Sequence, residues 1–138
     1  MSTAKESQQL LIKKINEVKK FHEVFKIGSR EVPSGSIDEG EYLLRHRLMS
    51  EENDEYLEAC KRGDLVEIAD ALGDKMYILF GSILKHGLQE KIEEIFDEIH
   101  RSNMSKLDDN GQPIFREDGK ILKSNKYFKP DIKSILEK

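Results

Sequence analysis

The stretch from residue 65 to residue 85 constrains the fold more than any other part of the chain. Its apolar residues recur at helical spacing on two faces, the first formed by Leu65, Ile68, Leu72, Met76 and Leu79 and the second by Val66, Ala69, Gly73, Tyr77 and Phe80. A helix with two apolar faces is a central helix of a helical domain. Glu67, Asp70 and Asp74 share the remaining strip, because residues three, four and seven apart align on a helix. The stretch therefore predicts a central helix with one acidic strip.

Helical periodicity also marks the first part of the chain. Apolar residues at helical spacing predict an amphipathic helix over about 8–26, which Gly28 ends. A loop follows, and Ser36 with Glu39 matches a capping box, the reciprocal pairing that opens many helices. We therefore expect a second helix over about 37–61.

Glycines divide the middle of the chain into two further helices. Gly63 ends the second helix, and Asp64 is a suitable N-cap for the helix over 65–85. Gly87 ends that helix, and an apolar stripe predicts a fourth helix over about 88–104. The short link between the second and third helices makes them antiparallel neighbours.

The tail, residues 105–138, has a different texture. Turn signals at 110–111 and 118–119 flank the short apolar runs 114–115 and 121–122, a pattern that favours a small hairpin or an ordered loop. The fold class that we predict is all-α: a four-helix bundle in one domain over residues 1–138, with this hairpin or loop as a C-terminal appendage.

Composition bears on oligomeric state and on partners. Hydrophobic residues make up 37% of the 138-residue chain and charged residues 36%, which is lean for a packed core. Together with the two apolar faces of the third helix, this predicts a homodimer or homotetramer. The net charge of −4 disfavours a nucleic-acid polymer as partner, because phosphate binding needs a basic face.

Cysteine content and hydropathy bear on location. A single cysteine, Cys60, excludes an internal disulfide framework and fits a reducing compartment. The first residues lack a long apolar run, and no segment approaches the about 20 apolar residues of a membrane span. We therefore expect a cytoplasmic protein that does not bind to a membrane.

Two acidic strips meet in the predicted bundle. Glu51, Glu52 and Glu55 continue the apolar stripe of the second helix, so we expect them to point inward, towards the acids of the third helix. Clustered carboxylates repel one another and lose hydration when they pack. A hard divalent cation would neutralise them, and ligands that are carboxylates alone select Mg²⁺ or Mn²⁺.

Structural explanations of the same acids stay open. Glu67 lies three residues after Asp64 and could be its capping partner. Asp70 and Asp74 could be solvated on an outer face, and the acids of residues 51–55 could be surface charge.

The acidic spacing resembles a known family signature. Glu52 and Glu55 form an E-x-x-E motif, Glu67 and Asp70 form an E-x-x-D motif, and "ALGD" follows at 71–74. This pattern resembles the MazG-like, all-α nucleoside triphosphate pyrophosphohydrolases, a superfamily that includes dimeric dUTPases and phosphoribosyl-ATP pyrophosphohydrolase. The block at 100–131 resembles the tail of a phosphoribosyl-ATP-pyrophosphohydrolase-like branch found in bacteria and their viruses.

The resemblance implies a reaction and a set of roles. Such enzymes cleave a nucleotide between its α- and β-phosphates, release pyrophosphate and require magnesium. The resemblance makes Glu52, Glu55, Glu67 and Asp70 metal ligands. Glu51 is either a ligand of a further metal ion or the catalytic base that accepts a proton from the attacking water. A weaker member, Asp74, would support the ligands from outside the coordination sphere.

Substrate-binding residues are expected around the end of the fourth helix and in the tail. Asn103 and Lys106 belong to the block that resembles the family, and Arg101 lies beside them. Lys123 could contact phosphate, although a lone lysine is more often solvated. Tyr127 could stack on a base or pack the tail onto the bundle.

Three functions remain in competition. The leading prediction is a magnesium-dependent pyrophosphohydrolase acting on a nucleoside triphosphate or its deoxy form. The nearest enzymatic alternative is hydrolysis of phosphoribosyl-ATP or of dUTP. The alternative from another class is a non-catalytic helical interaction module, whose acids tune solubility or bind a basic partner.

Overall fold

The computed structural model describes the backbone of residues 4–138 and the side chains of residues 10–138. The chain forms helices α1 (Ala4–Val24), α2 (Glu39–Arg62), α3 (Leu65–Lys85), α4 (Ile92–Met104) and α5 (Ile132–Leu136), with strands β1 (Ile114–Phe115) and β2 (Ile121–Leu122) between the last two. The two strands pair antiparallel. The predicted all-α fold with a small C-terminal hairpin is therefore confirmed.

The end of α1 differs slightly from the prediction. The helix ends at Val24 rather than near residue 26, because the chain turns left-handed at Lys26, where φ is 59°. The N–H of Ile27 then donates to the carbonyl of His22 at 2.8 Å, which closes the helix end. Gly28, the predicted terminator, follows this turn.

The start of α2 corrects the predicted capping box. The N-cap is Asp38, and the carboxylate of Glu41 accepts a hydrogen bond from the Asp38 N–H at 3.3 Å. The N–H of Ser36 instead bonds to the hydroxyl of Ser34 at 3.1 Å. The S-x-x-E pattern of Ser36 and Glu39 lies two residues too early, and the D-x-x-E pattern of Asp38 and Glu41 forms the capping box.

The turn between α2 and α3 forms as predicted. Gly63 is left-handed, with φ of 63°, and the Asp64 N–H reaches back to the Ala59 carbonyl at 3.1 Å. The Asp64 carboxylate accepts from the Glu67 N–H at 3.2 Å and so caps α3. One short turn thus ends one helix and starts the next.

The end of α3 explains why α4 starts later than predicted. Gly87 is left-handed, with φ of 68°, and the Leu88 N–H bonds to the Ile83 carbonyl at 2.9 Å. This bond closes the end of α3, and residues 89–91 form a turn. Helix α4 therefore begins at Ile92 rather than at residue 88.

The chain separates into two compact units, of which the first ends at Glu90 and the second begins at Lys91. The first contains α1, α2 and α3, and its buried residues include Ile15, Val18 and Leu84. The second contains α4, the hairpin and α5, with Ile95 and Ile135 buried. A single domain over the whole chain stays a prediction.

Helices α2 and α3 run antiparallel. The Arg45 guanidinium donates to the Ser82 hydroxyl at 3.0 Å, and the Lys75 ammonium donates to the Asn53 side chain at 3.0 Å. This register carries residues 52–55 of α2 to the middle of α3. Within residues 4–138, no helix has the length and apolar character that crossing a membrane requires.

Polar side chains form a packed junction where the start of α2 meets the end of α3. The ammonium of Lys85, a residue only 7% exposed, lies 2.9 Å from the Glu41 carboxylate and 2.8 Å from the Ile27 carbonyl. Arg30 donates two hydrogen bonds to the same carboxylate, at 2.8 and 3.3 Å. These two cations hold the pKa of Glu41 down to about 2. Here the protein supplies its own counter-charges.

Candidate metal centre

Three carboxylates converge between α2 and α3. Glu52 and Glu55 come from α2 and Asp74 from α3, and each contributes a carboxylate oxygen to a group whose members lie within 4.8 Å of one another. Glu52 and Asp74 are half-buried, and Glu55 is exposed. The spacing of three residues on α2 places both glutamates on the side that faces Asp74.

The environment of Glu52 disfavours the ionised form of its carboxyl group. Its Oε2 atom is buried and has no hydrogen-bond partner. Burial, the adjacent Glu55 carboxyl group, and the charges of Asp74 and Asp70 raise the pKa of Glu52 to about 7. A buried carboxylate oxygen without a partner is costly unless something outside the protein satisfies it.

The charges of the cluster act on Asp74 as well. Burial, followed by the negative charges of Asp70 and Glu55, raises the pKa of Asp74. The cluster consists of carboxylates alone, without histidine or cysteine. Such a set of oxygen donors, carrying excess negative charge and an unpartnered buried oxygen, fits a hard divalent cation.

An open hollow lies beside the cluster. Its volume is about 500 Å³, and its lining consists of Asp54, Glu55, Glu58, Arg62, Glu67 and Asp70. Glu55 belongs to both the cluster and the hollow. The volume lies within the range of about 300–1,000 Å³ that small-molecule sites occupy.

The four predicted ligands divide between these two features. Glu52 and Glu55 lie in the cluster, whereas Glu67 and Asp70 are exposed and line the hollow. Asp74, which was expected to act from outside the coordination sphere, lies in the cluster itself. Which of these acids bind metal stays a prediction.

Glu51 does not point inward, so that expectation is wrong. Its side chain is 59% exposed, and its carboxylate lies 3.8 Å from the guanidinium of Arg47, one turn earlier on α2. The apolar stripe that it was thought to continue is itself only partly covered, since Leu44 is 39% exposed. The rotation of α2 brings Glu52, not Glu51, against α3.

The predicted substrate-binding residues lie in the second unit. The Arg101 guanidinium lies 4.4 Å from the centre of the Phe128 ring, and the Lys123 ammonium lies 4.8 Å from that of Tyr127. Lys106 is half-buried. Asn103 is exposed, and its carbonyl accepts the Lys106 N–H at 3.2 Å.

Serine hydroxyls connect the end of α4 to the segment around residues 124–128. Ser102, which is buried, donates to the Phe128 carbonyl at 2.7 Å. Ser105 accepts the Phe128 N–H at 3.2 Å, and Ser124 donates to the Ser105 carbonyl at 2.9 Å. These bonds fix the segment around residues 124–128 against the end of α4, so the predicted residues belong to two backbone segments that are in contact.

Sequence reasoning missed Arg62 as a member of the site. The residue lines the hollow with Glu55, Glu67 and Asp70. The available signal was its position near the end of α2, seven residues after Glu55 and thus on the same helical face. A basic residue in the last turn of a helix is common for other reasons, so this signal was weak.

The fold and the site define a class: an all-α protein in which a helical hairpin carries a cluster of converging carboxylates. The chain belongs to the phosphoribosyl-ATP pyrophosphohydrolase family, which it matches over residues 18–103. This family is part of the all-α nucleoside triphosphate pyrophosphohydrolase, or MazG-like, superfamily. No curated protein matches the chain.

The family match covers the carboxylate cluster and the hollow. It also includes Arg101 and Asn103 but ends before Lys106, Lys123 and Tyr127. The match supports a pyrophosphohydrolase that acts on a nucleotide, a hydrolase of acid anhydrides.

Proposed function

We propose that this chain is a magnesium-dependent enzyme that hydrolyses the bond between the α- and β-phosphates of a nucleoside triphosphate or deoxynucleoside triphosphate. The products would be the nucleoside monophosphate and pyrophosphate. The observation that carries this proposal is the buried, unpartnered Oε2 of Glu52 in a cluster with Glu55 and Asp74. A cation satisfies that oxygen and offsets the repulsion of the cluster.

In this proposal Glu52, Glu55 and Asp74 hold the Mg²⁺, and Mn²⁺ can replace it. Asp70, whose charge acts on both Glu52 and Asp74, is the nearest further ligand. Glu67 lines the hollow, is exposed and lies outside the cluster of Glu52, Glu55 and Asp74. When bound, the cation neutralises charge on the phosphate oxygens and favours attack by water.

Glu51 is the proposed catalytic base. Its exposed carboxylate lies 3.8 Å from the Arg47 guanidinium and outside the carboxylate cluster, so this role requires the side chain to turn towards the attacking water. E51Q should keep the Mg²⁺-induced rise in melting temperature and lose about hundredfold or more in turnover. Unchanged turnover with intact metal binding would exclude Glu51 from this role.

The residues that the sequence indicates for substrate contact all belong to the second unit, and we propose these roles for them. Arg101, Lys106 and Lys123 supply positive charge for phosphate oxygens, and Asn103 supplies an amide. Tyr127 supplies an aromatic face for a base, with Lys123 already above its ring. The serine hydrogen bonds support this assignment, because they hold the segment around residues 124–128 against the end of α4, from which Arg101, Asn103 and Lys106 come.

A second substrate candidate is phosphoribosyl-ATP, which the family match favours. It contains the same triphosphate, so the same carboxylates would serve its hydrolysis. The deciding experiment incubates the protein and Mg²⁺ with ATP, GTP, CTP, UTP, their deoxy forms and phosphoribosyl-ATP, and measures pyrophosphate and the monophosphate formed.

The outcome of that panel also tests the non-enzymatic alternative. Release of pyrophosphate from one or more substrates, abolished by EDTA and by E52Q, supports the proposal. No release from any substrate at enzyme concentrations of micromolar order would leave the interaction module as the better explanation. Location in the cytoplasm stays a prediction.

We also propose that the chain forms a homodimer or homotetramer. Several apolar side chains of α3 are exposed in the single chain, among them Leu72, Met76 and Leu79, which are 45%, 56% and 47% exposed. A second copy would cover this face, since large exposed apolar patches mark interfaces. Light scattering should give a dimer or tetramer for the natural chain and a monomer for M76E. A monomer of the natural chain at micromolar concentration would contradict this.

A further inference from the structure

The hollow beside the carboxylate cluster contains one cation among six lining residues. The acids are Asp54, Glu55, Glu58, Glu67 and Asp70, and the cation is Arg62. The carboxylate cluster has excess negative charge, which a bound metal ion would offset. Arg62 lines the hollow, whereas Asp74 belongs to the cluster and is not among the lining residues.

None of these five acids forms an ion pair with Arg62. Among the side chains of residues 10–138, it forms no ion pair, whereas its neighbour Lys61 pairs with Glu58 at 3.2 Å. The side chain is exposed at the edge of the hollow. A guanidinium that borders an acidic hollow without pairing is available to a ligand that enters it.

The chemistry of a guanidinium decides what that ligand is. Its planar fork matches two oxygens of one phosphate group, and such charge-assisted pairs are stronger than neutral hydrogen bonds. The five acids of the hollow repel any anion unless a metal ion offsets the charge, so the ligand must bind a metal ion and Arg62 together. A polyphosphate brings its own metal-binding oxygens and suits both features at once.

We propose that Arg62 binds the terminal two phosphates of the nucleotide and stabilises them as they leave as pyrophosphate. This inference rests on the proposed function and deepens it. Arg62 is then a catalytic residue, because it contacts the leaving group directly.

The oxygen of water forms a bond to the α-phosphorus, and the bond between that phosphorus and the bridging oxygen of the β-phosphate breaks. The electron pair of the broken bond leaves on that oxygen, as part of pyrophosphate, and the proton of water passes to Glu51. Arg62 donates hydrogen bonds to the pyrophosphate oxygens, where negative charge grows.

A simpler role for Arg62 predicts a different result. Lys61 and Arg62 both lie in the last turn of α2, where a cation stabilises the helix dipole. Lys61 does not line the hollow. K61Q is therefore a matched control for R62Q, since it removes the same charge from the same helical turn.

The experiment measures the binding of inorganic pyrophosphate by calorimetry in the presence of Mg²⁺, for the natural chain, R62Q, R62K and K61Q. We expect R62Q to weaken pyrophosphate binding by about tenfold to hundredfold, the loss typical of a charge-assisted hydrogen bond. R62K should lie between R62Q and the natural chain, because an ammonium keeps the charge but not the fork. K61Q should stay within about twofold of the natural chain.

Steady-state kinetics gives a second readout on the best substrate of the panel. R62Q should lower kcat as well as raise KM, because the contact strengthens as the leaving group forms. Melting curves should show the same Mg²⁺-induced shift for R62Q and K61Q, since Arg62 is not a metal ligand.

Two results would overturn the inference. One is equal pyrophosphate affinity for R62Q and K61Q, and the other is no pyrophosphate binding by the natural chain. Failure of the proposed function looks different: no nucleotide is hydrolysed, whatever the pyrophosphate affinities of the variants are. Turnover by the natural chain, with R62Q equal to K61Q, would leave the hydrolase standing and remove only Arg62.

Discussion

Two glutamates of helix α2, Glu41 and Glu52, lie against the same helix α3 and have opposite electrostatic environments. Glu41 lies between Arg30 and Lys85, and these cations hold its pKa down to about 2. Glu52 lies beside Glu55 and Asp74 with a buried oxygen unpartnered, and its pKa is raised to about 7.

The difference separates a structural acid, Glu41, from the acid that we propose to be a metal ligand, Glu52. At Glu41 the chain provides the counter-charges, so the junction is complete as folded. At Glu52 the chain provides only further acids, which destabilise one another unless a cation arrives. A cluster that costs stability in the free protein is explained if its benefit appears only with a ligand.

The largest expected effect is on the functional side of this comparison. E52Q should reduce pyrophosphate release by at least about hundredfold, because even groups that only orient a metal ligand cost about 10–100-fold when they are lost. Steady-state pyrophosphate release checks this. E39Q changes the same charge on the same helix, far from the cluster, and should keep nearly full activity. Comparable activity in E52Q and E39Q would break the comparison.

Two glycines test whether the structural side is packed and the functional side open. Gly63 and Gly87 both end helices with similar left-handed φ values of 63° and 68°. A Cβ at Gly63 would meet nothing within 4 Å, whereas a Cβ at Gly87 would lie 2.4 Å from the Val32 carbonyl oxygen. G63A should cost about 1 kcal/mol from backbone strain alone. G87A adds a clash with backbone and should cost about 3 kcal/mol.

Urea unfolding of both glycine variants measures these costs. Because the two sites share helix-end geometry, the difference between the variants isolates the contact with Val32. Equal losses of stability would show that Val32, in the loop before α2, does not pack against Gly87 at the end of α3.

The acid limb of the stability curve should depend on Glu41. Its lowered pKa contributes stability that is fully present above the unfolded pKa, about 4.3, and is lost as the pH falls towards about 2. E41Q should lower the melting temperature by about 5 °C at pH 7, since it leaves Lys85 buried without its acid. Melting curves from pH 7 to pH 2 should show the two proteins converging. A constant difference would contradict this account.

Glu52 should give a slope of the opposite sign in metal-free protein. Its raised pKa contributes stability that is fully present below the unfolded pKa and is lost as the pH rises through about 7. Melting curves in EDTA between pH 5 and pH 8.5 should fall for the natural chain and flatten for E52Q. Parallel curves would mean that Glu52 titrates alike in the folded and unfolded chain.

The smallest expected effect is at the end of α1, beside the junction. Lys26 has a φ of 59°, which is unfavourable for a residue with a Cβ. K26G should raise the free energy of unfolding by about 0.5 kcal/mol, the relief of strain less the greater entropy of the unfolded chain. K20G, in the helix interior, should destabilise by about 1 kcal/mol. Urea unfolding separates the two signs, and a loss of stability in K26G would refute the strain.

Local signals in the sequence predicted much of the fold. Gly63 and Asp64 define the turn of the α2–α3 hairpin through backbone preferences and capping that need no distant partner. The start of α2 was predicted incorrectly because two capping patterns overlap. Asp38 and Glu41 form the capping box, and Glu41 also binds Arg30 and Lys85.

The site was only partly predictable because its members meet through packing. The helical spacing of Glu52, Glu55 and Asp74 identified acidic strips, but the rotation of α2 against α3 decides which carboxylates converge. That rotation places Glu51 in solvent and brings Asp74 into the cluster. Arg62 enters the site through the shape of the hollow, which no local pattern encodes.

The most direct test of the account is the melting temperature as a function of Mg²⁺ concentration for the natural chain, E52Q and E39Q. A cation that binds only the folded protein stabilises it by mass action, so the natural chain and E39Q should melt at rising temperature as Mg²⁺ increases. E52Q should show little or no response. A natural chain that does not respond to Mg²⁺ or Mn²⁺, or an E52Q that responds equally, would contradict the claim that this carboxylate cluster binds a divalent cation.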